Sequence, residues 1–157
     1  APSSTVWDVG AGSGSVSIEA AQMASDGSVY AIEMDAEEHG LIRENAERFG
    51  VANVNAILGR APEAFDELPD PDAVFIAGAG REVIRLTEAA YARLRRGGRL
   101  VVNTKSIDHL SELRQMLSQH SSHIHIWMIN LSRGTDQLDR LTFEPLKPSF
   151  LLAVTKS

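Results

Sequence analysis

Short apolar runs alternate along the whole chain with stretches whose apolar residues recur every three or four positions. Residues 5–9 read as a strand and 15–23 as a helix, followed by a Val-, Tyr- and Ile-rich strand at 28–33. Asp35 and Glu38 form an acidic cap pair ahead of a helix whose Leu41, Ile42, Ala46 and Phe49 share a face, and Gly50 stops it. Residues 54–58 are a strand, and Pro62 suits the first turn of a short helix reaching Leu68. A continuous apolar strand at 73–77 precedes a helix from about 82 to 94 that closes at Gly97-Gly98. Residues 99–104 form the next strand, and Ile107, Leu110, Leu113 and Leu117 line one more helix. The last two strands are expected at 123–131 and 150–155.

This order predicts one α/β domain over residues 1–157, Rossmann-like and doubly wound, on a mostly parallel seven-stranded sheet. The final strand pair, joined by irregular sequence without a helix, is expected to be antiparallel. The first strand begins at about residue 5, with nothing before it to cover the sheet edge or lid a site. The expectation is a piece of a longer chain lacking an N-terminal segment.

Composition narrows the function. The longest apolar runs are five residues, against the roughly 20 that a membrane helix needs. The opening Ala-Pro-Ser-Ser lacks the charged and apolar regions of a signal peptide. With no cysteine, a disulfide framework, a thiolate metal site and a cysteine nucleophile are all excluded, and a cytoplasmic setting is expected. The net charge is −6, which suits nucleic-acid backbones poorly, so no nucleic-acid partner is expected. That charge is uneven: nine basic face 16 acidic residues in positions 1–100, and six face five in the remainder. An anionic ligand is better hosted by the second part.

The first strand runs into Asp8-Val9-Gly10-Ala11-Gly12-Ser13-Gly14. Glycines at a strand-to-helix turn permit a sharp bend and close ligand approach. The third glycine is misplaced for the dinucleotide fingerprint, and the Gly-Lys-Ser/Thr ending of a phosphate loop is absent. Asp8 would repel a pyrophosphate but favour an ammonium or sulfonium. Glu33 ends the second strand, 19 residues after Gly14, where a carboxylate can bond both ribose hydroxyls. Together these features point to S-adenosylmethionine, with Met34 beside the acid. After the third strand, Arg60 and Ala61 are placed to pass an adenine. After the fourth, Ala77 and its small neighbours leave room for the methionine part and an acceptor.

The segments VWDVGAGSGSVSIEAA (6–21), YAIE (30–33) with RENAERFG (43–50), GRAPEAF (59–65), PDAVFIAGAG (71–80) and LRRGGRLVVN (94–103) resemble the decarboxylating precorrin methyltransferases of cobalamin biosynthesis. They look like the C-terminal domain of the precorrin-6Y enzymes and their stand-alone relatives. The resemblance implies a class I methyltransferase fold and cofactor contacts at Gly10–Gly14, Glu33 and Ala61. It implies methylation of precorrin carbon 15 with loss of carbon dioxide from the ring C acetate. It also implies a homo-oligomer, a tetramer.

Nothing in the sequence singles out a catalytic residue, since an electron-rich tetrapyrrole can attack an activated methyl without a strong base. A polycarboxylate substrate needs cations. Arg133, in a segment that resembles a substrate loop of the family, leads, followed by Lys105 and Arg140. The acceptor is expected under a loop from 132 to 148. His123 and His125 read as polar positions of an edge strand rather than metal ligands, Arg93, Arg95, Arg96 and Arg99 as a solvated helix end, and Trp7 and Trp127 as packing residues. The alternatives are another small-molecule or tRNA methyltransferase of this fold, or a non-catalytic cofactor-binding domain.

Overall fold

The computed structural model describes residues 1–121, 123–137 and 140–157. Seven strands form one sheet: β1 (Thr5–Val9), β2 (Ser28–Glu33), β3 (Val54–Leu58), β4 (Ala73–Ile76), β5 (Arg99–Thr104), β6 (Ile124–Ile129) and β9 (Ser149–Thr155). Their order is β3-β2-β1-β4-β5-β9-β6, parallel from β3 to β5, with β9 antiparallel to both its neighbours. The expected α/β sheet and its antiparallel final pair are therefore present.

The segment between the last two sheet strands is not irregular. Strands β7 (Ser132–Gln137) and β8 (Arg140–Pro145) pair as a separate antiparallel hairpin. Thr135 and Thr142 face each other across it with their hydroxyls 3.1 Å apart. The hairpin carries few buried apolar residues, so the hydrophobic pattern that marks core strands is missing.

Helices α1 (Ser15–Met23) and α2 (Ala36–Arg48) pack against the β1–β3 half of the sheet, and α3 (Val83–Arg93) and α4 (Ile107–Ser118) against β4, β5 and β9. The β-pleat keeps these layers apart. Trp7, Val9, Ile32, Val74 and Ile76 join one core with Leu86, Leu113 and Leu152, on the α3–α4 face. Asp8 and Ala31, one register step away, face α1.

Local chemistry sets the helix ends. The Asp35 carboxylate accepts the Glu37 and Glu38 N–H groups, and Ser106 Oγ accepts that of His109, so two orphan ends are capped. Pro62 precedes only one 3₁₀ turn (Glu63–Phe65), shorter than the expected helix. Trp7 is fully buried, stacks on Phe65 at 4.7 Å and donates its indole N–H to the Pro69 carbonyl. Trp127, by contrast, is half exposed on the edge strand β6. Arg93 is more than a solvated helix end. Its guanidinium lies over the Trp7 ring, pairs with Asp70 and donates to the Phe65 and Leu68 carbonyls. Among the described residues no helix is long and apolar enough to cross a membrane.

Candidate active site

Strand order reverses between β1 and β4, where the connections leave to opposite sides of the sheet and open a crevice at the strands' carboxyl ends. A cleft of about 320 Å³ lies there. Val9, Ile32 and Leu86 supply apolar walls, Gly10 and Gly12 the glycine turn, and Gly59, Arg60, Ala61, Ala77 and Ala79 the remaining rim. Glu33, Met34, Glu38 and Glu82 also line it, so three carboxylates face a single guanidinium.

The three turn glycines have different jobs. All have positive φ, which disfavours any side chain. A Cβ on Gly10 would collide with the Ala77 carbonyl oxygen, so this glycine lets β1 and β4 close at the crevice. A Cβ on Gly14 would press on Ile42 at 3.2–3.3 Å, so this one lets α1 approach α2. At Gly12 a Cβ meets only a Glu38 carboxylate oxygen at 3.9 Å. Gly12 is the glycine whose missing side chain leaves space in the cleft itself.

Glu33 holds the turn in place. One carboxylate oxygen accepts the Gly12 N–H at 2.9 Å, and the other accepts those of Met34 and Asp35 at 2.8 and 3.0 Å. A carboxylate offers about four lone-pair sites, so capacity for a ligand hydroxyl remains. Asp8, expected to meet a cationic ligand, does not line the cleft. It is 1% exposed, lies beneath the turn and accepts the Ser17 hydroxyl of α1. Burial pushes its carboxyl up to about 6, the Ser17 bonds pull it back in part, and the Glu33 charge raises it slightly. The pair clamps the strand before the turn to the helix after it. Ala11, Ser13 and Gly14 shape the same turn without lining the cleft.

The sequence matches the family described as precorrin methyltransferase domain over residues 1–156. The chain belongs to that family. A Salmonella typhi relative named cobalt-precorrin-6B C(15)-methyltransferase (decarboxylating) is 35% identical over 156 residues, covering 95% of this chain and 77% of the relative. The precorrin-6Y C(5,15)-methyltransferase [decarboxylating] of a Sinorhizobium species is 44% identical over 105 residues, which is 66% of this chain but 25% of that protein. In structure, the precorrin-6Y C5,15-methyltransferase from Geobacter metallireducens superposes with a TM-score of 0.86 at 33% identity, covering 98% of this chain and 82% of its own.

In this precorrin methyltransferase domain a second cavity, of about 530 Å³, adjoins the cleft and shares the Gly78-Ala79 wall with it. It opens at the ends of β4 and β5 and is lined by Asn103, Thr104, Lys105, Ser106, His109 and Lys147 among others. Of the three cations proposed from sequence, only Lys105 lines it. Arg133 and Arg140 are exposed on β7 and β8 and line neither cavity. The expected covering loop, 132–148, is mostly the β7–β8 hairpin, and its residues 138 and 139 lie outside the described residues. Glu38, Glu82, His109 and Lys147 were missed in sequence. Asp35 and Ser106 are capping residues that put Glu38 and His109 on first helical turns at the carboxyl end of the sheet, the signal that could have found those two.

Proposed function

We propose that this domain is an S-adenosylmethionine-dependent methyltransferase that methylates carbon 15 of a precorrin and decarboxylates it. The observation that carries the reading is the pair of adjoining cavities with opposite charge. The cleft at the strand-order reversal is lined by three carboxylates and suits a cationic methyl donor. The cavity behind Gly78-Ala79 carries lysines and no carboxylate, and suits a polyanionic acceptor.

The residues present fit the donor. Gly12 leaves the turn open to the cleft, the Glu33 carboxylate is within reach of it, and Ile32 and Leu86 offer apolar surface for a base. Gly10, Gly12, Glu33, Met34, Arg60, Ala61 and Ala77 would make the contacts, and Asp8, Ala11, Ser13 and Gly14 would shape the turn behind them. When bound, S-adenosylmethionine supplies the electrophilic methyl group. The protein's task is alignment, because orientation of two bound partners removes much of the entropic barrier. Small residues at Ala77, Gly78 and Ala79 let the partners meet at the shared wall. Decarboxylation leaves an electron pair that the acceptor's conjugated ring takes up, and a poorly solvated acetate loses carbon dioxide more readily.

We also propose a homo-oligomer, a tetramer, formed through β6 and the hairpin. Trp127, Met128, Leu141 and Phe143 are 51–67% exposed there, a cost in isolation. Light scattering tests this, and a monomer at micromolar concentration contradicts it.

The donor reading is tested by calorimetric titration with S-adenosylhomocysteine. Saturable one-site binding is expected. An absence of binding by the folded protein would overturn it.

A further inference from the structure

The second cavity is basic within an acidic protein, in line with the less acidic second part of the chain. The protein is net −6, yet the lining includes Lys105, His109 and Lys147 and not one Asp or Glu. Neither lysine takes part in an ion pair among the described residues, nor does either ammonium donate a hydrogen bond there. Among the described residues the His109 ring makes no hydrogen bond or ion pair, while its backbone N–H donates to Ser106 Oγ. Other basic side chains of this chain, such as Arg85, Arg93 and Arg95, are tied to carboxylates.

The fold brings these groups together from distant sequence. β5 ends at Thr104, and the Ser106 N–H donates to Thr104 Oγ1, so the chain turns directly into α4 with Lys105 at the corner. Antiparallel pairing sets Thr104 opposite Phe150 at the start of β9. Lys147 lies three residues before Phe150, and Pro148 restricts it to an extended backbone. Ser149 Oγ donates to Asn103 Oδ1, which fixes this connector to the end of β5. His109 enters from the first turn of α4, held by the Ser106 cap.

We infer that Lys105 and Lys147 form a carboxylate clamp for the side chains of a polycarboxylated tetrapyrrole, with the His109 ring N–H as a third donor. The inference rests on the acceptor reading given above and names the groups that grip the acceptor. Each ammonium offers three donors to a carboxylate, and the adjoining α4 N-terminus adds a favourable potential. With the anionic rim groups held here, the macrocycle is left to face the Gly78-Ala79 wall.

The probe is uroporphyrin III, an octacarboxylate, titrated by fluorescence into the protein saturated with S-adenosylhomocysteine. Lys105→Met and Lys147→Met should each weaken binding about two- to fivefold, the range for a solvent-exposed ion pair. The losses should shrink in high salt, because exposed charges are screened. Lys147→Arg should retain most of the affinity. Arg114→Met, which removes a charge from α4 outside the cavity, should change little, so net charge alone is controlled. Equal porphyrin affinity for wild type and both methionine variants would overturn the clamp, as would failure of the wild type to bind porphyrin while binding S-adenosylhomocysteine. Loss of S-adenosylhomocysteine binding in the wild type would instead overturn the donor reading, so the two failures are distinguishable.

Discussion

The Glu33 carboxylate accepts the Gly12 N–H at 2.9 Å, tying the end of β2 to the middle of the glycine turn. The bond gives Glu33 two roles, holding the turn and facing the cleft. Glu33→Ala should lower S-adenosylhomocysteine affinity by about 1.5–3 kcal/mol, the range for charge-assisted hydrogen bonds. Glu33→Gln keeps an acceptor for the Gly12 N–H and should lose less. Calorimetry showing wild-type affinity in Glu33→Ala would contradict both roles.

The glycines separate folding from binding. Gly12→Ala has room for its methyl group and costs about 1–2 kcal/mol for the positive φ alone. It should fold and bind S-adenosylhomocysteine poorly, since the methyl group stands where the cleft is open. Gly10→Ala meets the Ala77 carbonyl and should lose stability well beyond that figure, in urea unfolding without ligand. The reverse pattern would mean that the turn's open side has been misassigned.

Asp8 predicts a pH signature. Its folded value, about 6, lies above the ordinary 3.8, so the folded chain holds this proton more tightly. The stabilisation is fully present below the lower value and is lost as pH rises through the higher, a change of about 3 kcal/mol. Asp8→Asn cannot ionise and keeps an acceptor for Ser17. Relative to wild type it should gain stability as pH rises from 4 to 7, and unfolding curves with a constant difference across that range would contradict the assignment.

Arg93 tests the opposite end of the molecule. Arg93→Ala removes the Asp70 pair, the bonds to the Phe65 and Leu68 carbonyls and the charge over Trp7. A loss of about 2–3 kcal/mol is expected. None of those partners lines the cleft, so S-adenosylhomocysteine affinity of the folded variant should be unchanged.

The sheet was legible because its signals are local. Val, Ile and Ala runs mark buried strands, and Asp35, Gly50 and the Gly10–Gly14 turn mark boundaries within a few residues of the element they end. Glu33 is legible by the same logic, since an acid that ends the second strand follows the turn at a set spacing, and the structure puts it in the cleft. What escaped depends on pairing distant in sequence. Lys147 joins Lys105 only through the β5–β9 register, and Arg93 meets Trp7 only across the packed α3 layer. The hairpin lacks the core pattern altogether, so its segment reads as a loop, and Arg133 stands out there only by resemblance to a substrate loop of the family. Asp8 reads from sequence as an acid that favours a cationic ligand, and it takes the Ser17 contact to show it as a buried clamp.

The central claim is that one domain both methylates and decarboxylates a precorrin. Mass spectrometry of the tetrapyrrole after anaerobic incubation with S-adenosylmethionine and cobalt-precorrin-6B tests it most directly. The account predicts a single product that has gained one methyl group and lost one carbon dioxide, formed only when the methyl donor is present. A tetrapyrrole of unchanged mass, from protein that binds S-adenosylhomocysteine, would contradict it.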